Sequence, residues 1–357
     1  MHVILLAGGR GTRLHPLTQD LPKPMVPVVN RPWLHHLLEI VGRLPIVDIR
    51  CAVHYRWEAI RNIKWSSLKG NVPVELVVER EALGTGGAIR NAANGVTMTF
   101  MVLNADIVPG MDLCELLERH RKIGADCTIA LTQVEDPSAY GVVELAPDGR
   151  ILRFVEKPAP GTAPSNLINA GVYVMEPYIL DSIPQGRPTS VEREIFPQLI
   201  EQGARIYSYI SPAYWNDIGT PKGYLSTHWD ILQDRMPIRF PDGLSLHNGK
   251  EDIRVGRRVR IDSGARLIGP VLLGDGCVIR SGAVVGPNAV LGPDVKIGNR
   301  SIVQNSVIWA GAQIGDNSMV EECIIGYNTI VEDRSTARAE LIPSRGLWRD
   351  TARPAIV

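Results

Sequence analysis

The apolar run Val3 to Ala7 enters Gly8-Gly9-Arg10-Gly11-Thr12-Arg13-Leu14, a glycine-rich turn ahead of a polar helix start. Glycines let a backbone approach phosphate oxygens closely and aim its N–H groups at them, which makes Ala7, Gly8, Gly9, Gly11 and Thr12 candidates for cradling a nucleotide. Neither common phosphate loop fits, because GxxxxGK[ST] is absent and Leu14 stands where GxGxxG needs its third glycine. A glycine turn after a strand is as often structural. Arg13 and Lys23, the latter in Leu21-Pro22-Lys23-Pro24, add two fixed cations, enough to neutralise a polyphosphate. Alone, Lys23 would read as an exposed lysine held by prolines.

Two aspartates are placed to share in such chemistry. Asp106 follows the expected strand Phe100 to Leu103, at the carboxyl edge where open α/β sheets bind ligands. Asp217 lies between Trp215 and Gly219. Magnesium favours one or two carboxylates together with substrate phosphates and water, although each aspartate alone reads equally well as a turn residue. Thr189-Ser190-Val191-Glu192 has the spacing of a helix capping box, with Thr189 as N-cap and Glu192 returning to it, and this structural reading is preferred to a catalytic Glu192. His35 and His36 are adjacent on an apolar helical segment, the wrong spacing for two metal ligands on one face, and read as structural.

The elements that must position these groups change character along the chain. From Met1 to about residue 235, β-rich runs at Val3 to Ala7, Ile49 to Val53, Val74 to Val78, Phe100 to Leu103 and Thr128 to Leu131 alternate with helical periodicity. Trp33, Leu34, Leu37, Leu38, Val41 and Leu44 fall on one helix face, and Asp148-Gly149 predicts a hairpin, so part of the sheet is antiparallel. Residues 236–254 are rich in proline and glycine and read as a linker. From Val255, an aliphatic residue recurs every sixth position through Ile261, Leu267, Leu273, Ile279, Val285, Leu291, Ile297 and Val303. Small or β-branched residues follow four places after each, and Gly256, Gly274, Gly286, Gly292 and Gly298 are read as turns. This is a hexapeptide repeat, whose stacked aliphatics form the core of a parallel β-helix over 255–336. The register slips after Val303, which suggests an inserted corner, and the tail 337–357 lacks the repeat. Leu341, Leu347 and Trp348 could cap the last coil or bind a neighbouring subunit.

Composition narrows the function classes. The 38 basic and 38 acidic side chains cancel, which argues against a nucleic-acid or anionic-membrane surface. No apolar run approaches a membrane span or a signal-peptide core. The five cysteines are scattered, with no CxxC pair, and read as reduced thiols of a cytoplasmic protein.

In order, LLAGGRGTRLHPLT, PKP, ALGTGGAIRN, VLNAD, YGVVEL, FVEKP, INAGVYV, TSVEREIFP and YWNDIGTP span Met1 to about Leu225. This set resembles the sugar-nucleotide pyrophosphorylases, and its LGTGGA, EKP, NAG and WNDIGTP resemble the mannose-1-phosphate guanylyltransferase branch most closely. The departures are His15, where members often carry arginine, and Ala105, where glycine or serine is commoner. The resemblance implies a Rossmann-like α/β mixed-sheet nucleotidyltransferase domain (1–235) followed by a left-handed parallel β-helix. It also implies transfer from GTP to mannose 1-phosphate, with magnesium held by Asp106 and Asp217 and with Arg13 and Lys23 on the triphosphate. Lys157 would meet the attacking phosphate and Glu156 the sugar hydroxyls, with Gly141, Asn169 and Gly171 completing the sugar site. The base would be read beside Gly84 and Thr85. Guanine offers N1–H and N2–H₂ donors that one carboxylate can accept, whereas uracil or thymine suits an amide. Glu79, at the corresponding motif position, is preferred to Glu81, although either alone could be a solvated acidic edge.

Other pairs stay open: UTP or dTTP with glucose 1-phosphate, or GTP with a manno-heptose 1-phosphate. So does a silent subunit that senses nucleotide sugars, which retention of Arg13, Lys23, Asp106, Lys157 and Asp217 disfavours. An acyltransferase β-helix usually carries a histidine base, but the last histidine, His247, precedes the repeat. The β-helix is read as an assembly and stability module, and its exposed end predicts a homo-oligomer.

Overall fold

A computed structural model describes residues 1–61, 72–247 and 249–349. The chain divides into two compact units, Met1–Arg10 with Leu37–Asn216, and Gly11–His36 with Asp217–Val357. These units do not follow the sequence boundary at 235: the segment holding Arg13 and Lys23 belongs with the β-helix, not with the sheet.

The first unit is built on a mixed sheet with nine strands among the described residues. His2–Leu6 lies between Asp48–Val53 and Phe100–Asn104, parallel to both, and Val74–Val78 extends the parallel side. Leu167–Met175 then runs antiparallel to Phe100–Asn104, Cys127–Gln133 and Gly141–Leu145. The expected hairpin forms, with Ile151–Glu156 antiparallel to Gly141–Leu145 across Asp148-Gly149. Strands buried on both faces read as apolar runs, and Val3, Ile4, Leu5, Ile49, Met101, Val102 and Leu103 are all fully buried. Each such side chain contributes about 1.5–3 kcal/mol of transfer free energy. The expected helix occupies Trp33–Val41, and every residue of its apolar face is buried.

The parallel register aligns the carboxyl ends of three strands, since Leu6 faces both Ala52 and Asn104. Three connections therefore leave from one edge of the sheet. Ala7 N–H donates to Ala52 at 2.9 Å, Glu79 N–H to Val53 at 2.8 Å, and Ala105 N–H to Leu6 at 3.1 Å.

In the second unit, short strands stack into three sheets with seven, six and five strands among the described residues. Successive coils pair in parallel, as in Arg260 beside Val278 beside Lys296. This is the predicted β-helix, with Leu273, Ile279, Val285, Leu291, Ile297 and Val303 in its dry core. Four sequence readings are corrected. The slip after Val303 is a lost residue, not an insertion: equivalent positions lie 18 apart in early coils and 17 apart in later ones. The repeat also runs on beyond 336, with Leu341–Ile342 and Leu347–Trp348 still pairing with the preceding coil; residues 350–357 of the expected tail lie outside the described residues. Of the five repeat glycines, only Gly286 has positive φ; a Cβ on Gly274 or Gly292 would come within 2.5 Å of the next coil's backbone, so these permit close stacking. The expected linker contributes Lys250–Val255, which pairs with Val271–Leu273 as the first strand of its sheet.

On the seven-stranded sheet the outward residues Leu272, Val290, Val307 and Ile324 are also buried. The helix Pro221–Leu232 packs against Ser306–Ile308, and Asn30 donates to the Leu291 carbonyl at 2.8 Å. Among the described residues no helix is long and apolar enough to cross a membrane, and all five cysteines are free, Cys114 alone being more than slightly exposed.

Candidate active site

In the first unit, Glu79 follows the strand Val74–Val78 and is only 7% exposed, whereas Glu81 is exposed. One Glu79 oxygen accepts from the Leu83 N–H at 3.1 Å; the other is buried with no partner among the described residues. Burial pushes this carboxyl above the usual range, against the Leu83 N–H and the nearby His54, which favour the charged form. A buried acceptor without a donor is costly in the free protein, and a ligand N–H would relieve that cost. Of the two glutamates the sequence offered, Glu79 has the geometry of a recognition group.

Gly84 opens the helix Gly84–Ala92 with φ +67°, where a Cβ would lie 2.6 Å from the Thr189 carbonyl. Glycine is therefore required here for backbone contact. The Thr85 hydroxyl donates to Glu192 at 2.5 Å and accepts from the Val191 N–H at 3.0 Å.

Those contacts revise the capping box. The N-cap is Ser190, not Thr189: its hydroxyl accepts from Arg193 N–H, and its own N–H donates to Glu194 at 2.8 Å. Glu192 is thereby free of any capping duty. Its carboxylate accepts from Thr85, Ser190 and Tyr173, and Tyr173 in turn accepts from Asn169 Nδ2 at 2.7 Å. Asn169 Oδ1 accepts from the Gly171 N–H at 2.9 Å. Gly171 has φ +73°, and a Cβ there would strike Asn104, whose Oδ1 is buried with no partner among the described residues.

Glu156 joins this acidic cluster. Burial raises its carboxyl, Glu192 raises it further, and Lys157 and Arg193 pull it back. A Cβ on Gly141 would lie 2.8 Å from the Glu156 carboxylate and closer to Phe154, so only glycine leaves that oxygen accessible. Lys157 is exposed, with φ +51°, and its N–H donates to Tyr140 at 2.9 Å. Trp215 donates to the Ala170 carbonyl at 2.9 Å and meets Tyr140 edge-on, 5.6 Å between ring centroids. Thus Gly141, Glu156, Asn169 and Gly171 come together, joined by Asn104, Tyr173 and Glu192, which the sequence reading had not assigned to the site. Asp106 is half-buried, two residues beyond Asn104 on the sheet's carboxyl edge, and Ala105 is fully buried. Gly8 lies against His54, with room for no more than a strained Cβ 3.3 Å away, while Gly9 faces open space.

The remaining groups are in the second unit. Gly11, φ +64°, precedes a single 3₁₀ turn, Thr12–Leu14, that leaves Thr12 and Arg13 exposed and Leu14 buried. Thr18 donates to the Gly11 carbonyl at 2.8 Å, and a Cβ on Gly11 would press on Lys23, 3.1 Å away. Lys23 is 6% exposed, unlike the bland reading of a solvent lysine. Its Nζ lies 3.5 Å from one Asp217 oxygen, and Arg13 lies 3.0 Å from the other. Asp217 is itself 8% exposed and accepts from the Gly219 N–H at 2.7 Å. Two cations thus converge on one buried carboxylate. No cluster of three or more His, Cys, Asp or Glu side chains able to hold a metal occurs among the described residues. The donor set suits an ion that takes few protein carboxylates and completes its shell with phosphate and water.

Residues 2–234 match the nucleotidyl transferase family, and residues 267–342 match the GMPPB C-terminal domain. The chain is 38% identical over 278 residues to mannose-1-phosphate guanylyltransferase of Mycobacterium tuberculosis, covering 77% of this chain and 76% of that one. It is 32% identical to mannose-1-phosphate guanylyltransferase 1 of Arabidopsis thaliana, covering 100% of both. It is 39% identical to mannose-1-phosphate guanyltransferase of Pichia angusta, covering 93% and 87%. Among solved structures, HddC from Yersinia pseudotuberculosis is similar, with a TM-score of 0.55 and 30% identity over 64% of this chain and 99% of that one. The same protein complexed with GMP-PN gives a TM-score of 0.55 at 29% identity, with the same coverage.

Proposed function

The chain belongs to the nucleotidyl transferase family, and from that premise we propose that it joins GTP to mannose 1-phosphate, giving GDP-mannose and pyrophosphate. The observation that carries the choice of nucleotide is Glu79, a buried carboxylate with one oxygen that has no partner among the described residues, matched to guanine's paired donors. The relatives' names supply the sugar.

A mannose 1-phosphate oxygen attacks the α-phosphorus; a P–O bond forms to the sugar phosphate as the bond to pyrophosphate breaks in line. The nucleophile is already an anion, so no protein base is required. Electrostatic stabilisation carries the reaction, and Arg13 and Lys23 provide it for the triphosphate and departing pyrophosphate. In the free protein Asp217 balances these two cations, which keeps them in place without a ligand. Ala7, Gly8, Gly9, Gly11 and Thr12 line the phosphates, and Gly84 and Thr85 border the base. Glu156 accepts from a sugar hydroxyl, Asn169, Gly141 and Gly171 shape the sugar site, and Lys157 pairs with the attacking phosphate. Asp106 and Asp217 are each assigned as carboxylate ligands of magnesium, which when bound neutralises charge on the phosphate oxygens. Glu192 is added to these roles, as the acceptor that fixes Tyr173 and, through it, Asn169.

The test is pyrophosphate release with magnesium, crossing GTP, UTP, dTTP, ATP and CTP with mannose, glucose and glucosamine 1-phosphates. GTP with mannose 1-phosphate is the expected best pair. A different best nucleotide discards the base assignment, a different best sugar phosphate discards the sugar assignment, and silence across the panel favours the sensor or a rarer sugar such as a manno-heptose 1-phosphate.

A further inference from the structure

The segment that carries Lys23 is tied to the β-helix through one buried tyrosine. Lys23 heads a single 3₁₀ turn, Lys23–Met25, followed at once by Pro27–Val28, which pairs back on Arg31–Pro32. Pro27 has no N–H, so its carbonyl is the group by which this short hairpin can be fastened at that point. The Tyr224 hydroxyl donates to that carbonyl. The same hydroxyl accepts from the Trp309 indole N–H at 3.0 Å. Tyr224 and Trp309 are 1% and 2% exposed, and the Trp309 ring meets that of Tyr327 in the next coil at a tilt of 53°, 4.8 Å between centroids.

Tyr224 is also bound to the other half of the charged cluster. It lies in the first turn of the helix Pro221–Leu232, whose cap Thr220 follows Asp217 closely. Tyr224 N–H donates to the Thr220 carbonyl at 2.8 Å, and a Cβ on Gly223 would fall 2.0 Å from the Asp217 carbonyl, so the helix start rests on Asp217 itself. One phenol therefore joins three things: the hairpin behind Lys23, the helix behind Asp217, and a β-helix tryptophan. All of these residues belong to the same compact unit.

We propose that Tyr224 and Trp309 are positioning residues for polyphosphate binding, fixing Lys23 relative to Asp217, and that the β-helix thereby takes part in nucleotide binding. The inference rests on the reading of Arg13 and Lys23 as triphosphate cations, but not on which base or sugar is used. Tyr224→Phe keeps the ring and removes the hydroxyl, so the indole N–H loses its acceptor and the Pro27 carbonyl loses its phenol donor while keeping its contact with His228. Trp309→Phe removes the indole donor and part of the ring packed on Tyr327 but leaves Tyr224 bonded to Pro27, so its effect on triphosphate binding should be smaller and in the same direction.

The experiment compares KM for nucleoside triphosphate, KM for sugar 1-phosphate and the magnesium midpoint in the full-length wild type and both variants, using whichever pair the wild type turns over. Triphosphate affinity by calorimetry is the readout independent of turnover. We expect Tyr224→Phe to weaken triphosphate binding and raise nucleotide KM at least fivefold, with Trp309→Phe intermediate and sugar-phosphate KM unchanged. A purely structural role would shrink the folded fraction, lowering apparent kcat while both KM values and the affinity stay at wild-type values; that result overturns the proposal. If Tyr224→Phe does not fold, Trp309→Phe carries the same comparison. A wild type that binds triphosphate but turns over no pair would refute the transferase reading while leaving this inference to calorimetry.

Discussion

At the scale of single residues, Glu79 and Lys23 owe their expected behaviour to burial. Glu79→Gln exchanges an acceptor pair for one acceptor and one donor, which repels guanine N1–H or N2–H₂. A mispaired polar contact of this kind costs about 1–3 kcal/mol, so the GTP to UTP ratio of kcat/KM should fall roughly ten- to hundredfold. ITP, which lacks the N2 amino group, should lose its disadvantage against GTP in the same variant. The substitution should also stabilise the free protein. Because burial raises the Glu79 carboxyl, stability tied to this group is fully present below its unfolded value and is lost as pH rises through the raised folded value. Thermal midpoints at pH 5 and pH 8 should therefore diverge less in Glu79→Gln than in the wild type; an equal divergence would mean Glu79 is ionised without penalty. Lys23→Met removes a buried cation from a buried carboxylate, and kcat/KM should drop by about 10²–10³, the scale of losing one preorganised electrostatic group. Motif residues of this kind were legible in the sequence because phosphate chemistry demands cations and glycines at set places along the chain. Asn104 and Tyr173 were not, because a polar residue at a strand end and a buried tyrosine look like ordinary sheet residues until the strands are paired.

At the scale of elements, the misread capping box shows what spacing alone cannot distinguish. Thr189 and Ser190 are both good caps, and each is followed by an acidic residue near the required position. The chain resolves the choice by opening a π-helical turn at Val191–Ile195, which lengthens the return reach to Glu194 and turns Glu192 inward. Ser190→Ala should cost about 1 kcal/mol of stability, measurable as a shift in denaturant midpoint, whereas Glu192→Gln should instead weaken sugar-phosphate binding with little loss of stability. The opposite pattern would restore Glu192 to a structural role. The parallel strands and the Trp33–Val41 helix were readable because each keeps an unbroken apolar period. The β-helix slip was visible but its sign was not, because a missing residue and an inserted one displace the period alike. The helix Pro221–Leu232 carries its own pH dependence: His228 is fully buried, burial pushes it down to about 4, and its Nδ1 lies 2.9 Å from the Tyr224 carbonyl. A histidine kept neutral in the folded state contributes stability above its unfolded value of 6.5 that is lost as pH falls from there toward about 4. The full shift corresponds to roughly 3 kcal/mol. His228→Asn should flatten the stability profile across that window, and an unchanged slope would show that the imidazole is protonated in place.

At the scale of the whole molecule, the division of the chain assigns Gly11–His36 and the helix Pro221–Leu232 to the unit that contains the β-helix. The sequence reading placed the boundary at the proline- and glycine-rich stretch 236–254, which locates a change of local pattern but not the packing partners of the preceding segments. The buried outward row Leu272, Val290, Val307 and Ile324 belongs to a sheet with two covered faces, a property that a six-residue period does not encode. A chain ending at residue 236 should therefore be poorly soluble or inactive, not a self-sufficient catalytic domain; a soluble truncation with near-normal turnover would restrict the β-helix to assembly. We further propose that the full chain forms a homo-oligomer, which sedimentation would report as a mass above that of one chain. The account as a whole depends on base recognition by a buried carboxylate, and the direct measurement is kcat/KM for GTP and for UTP with mannose 1-phosphate, in the wild type and in Glu79→Gln. The account predicts a strong GTP preference that collapses in the variant; a ratio unchanged by the substitution, or a wild type that favours UTP, would contradict it.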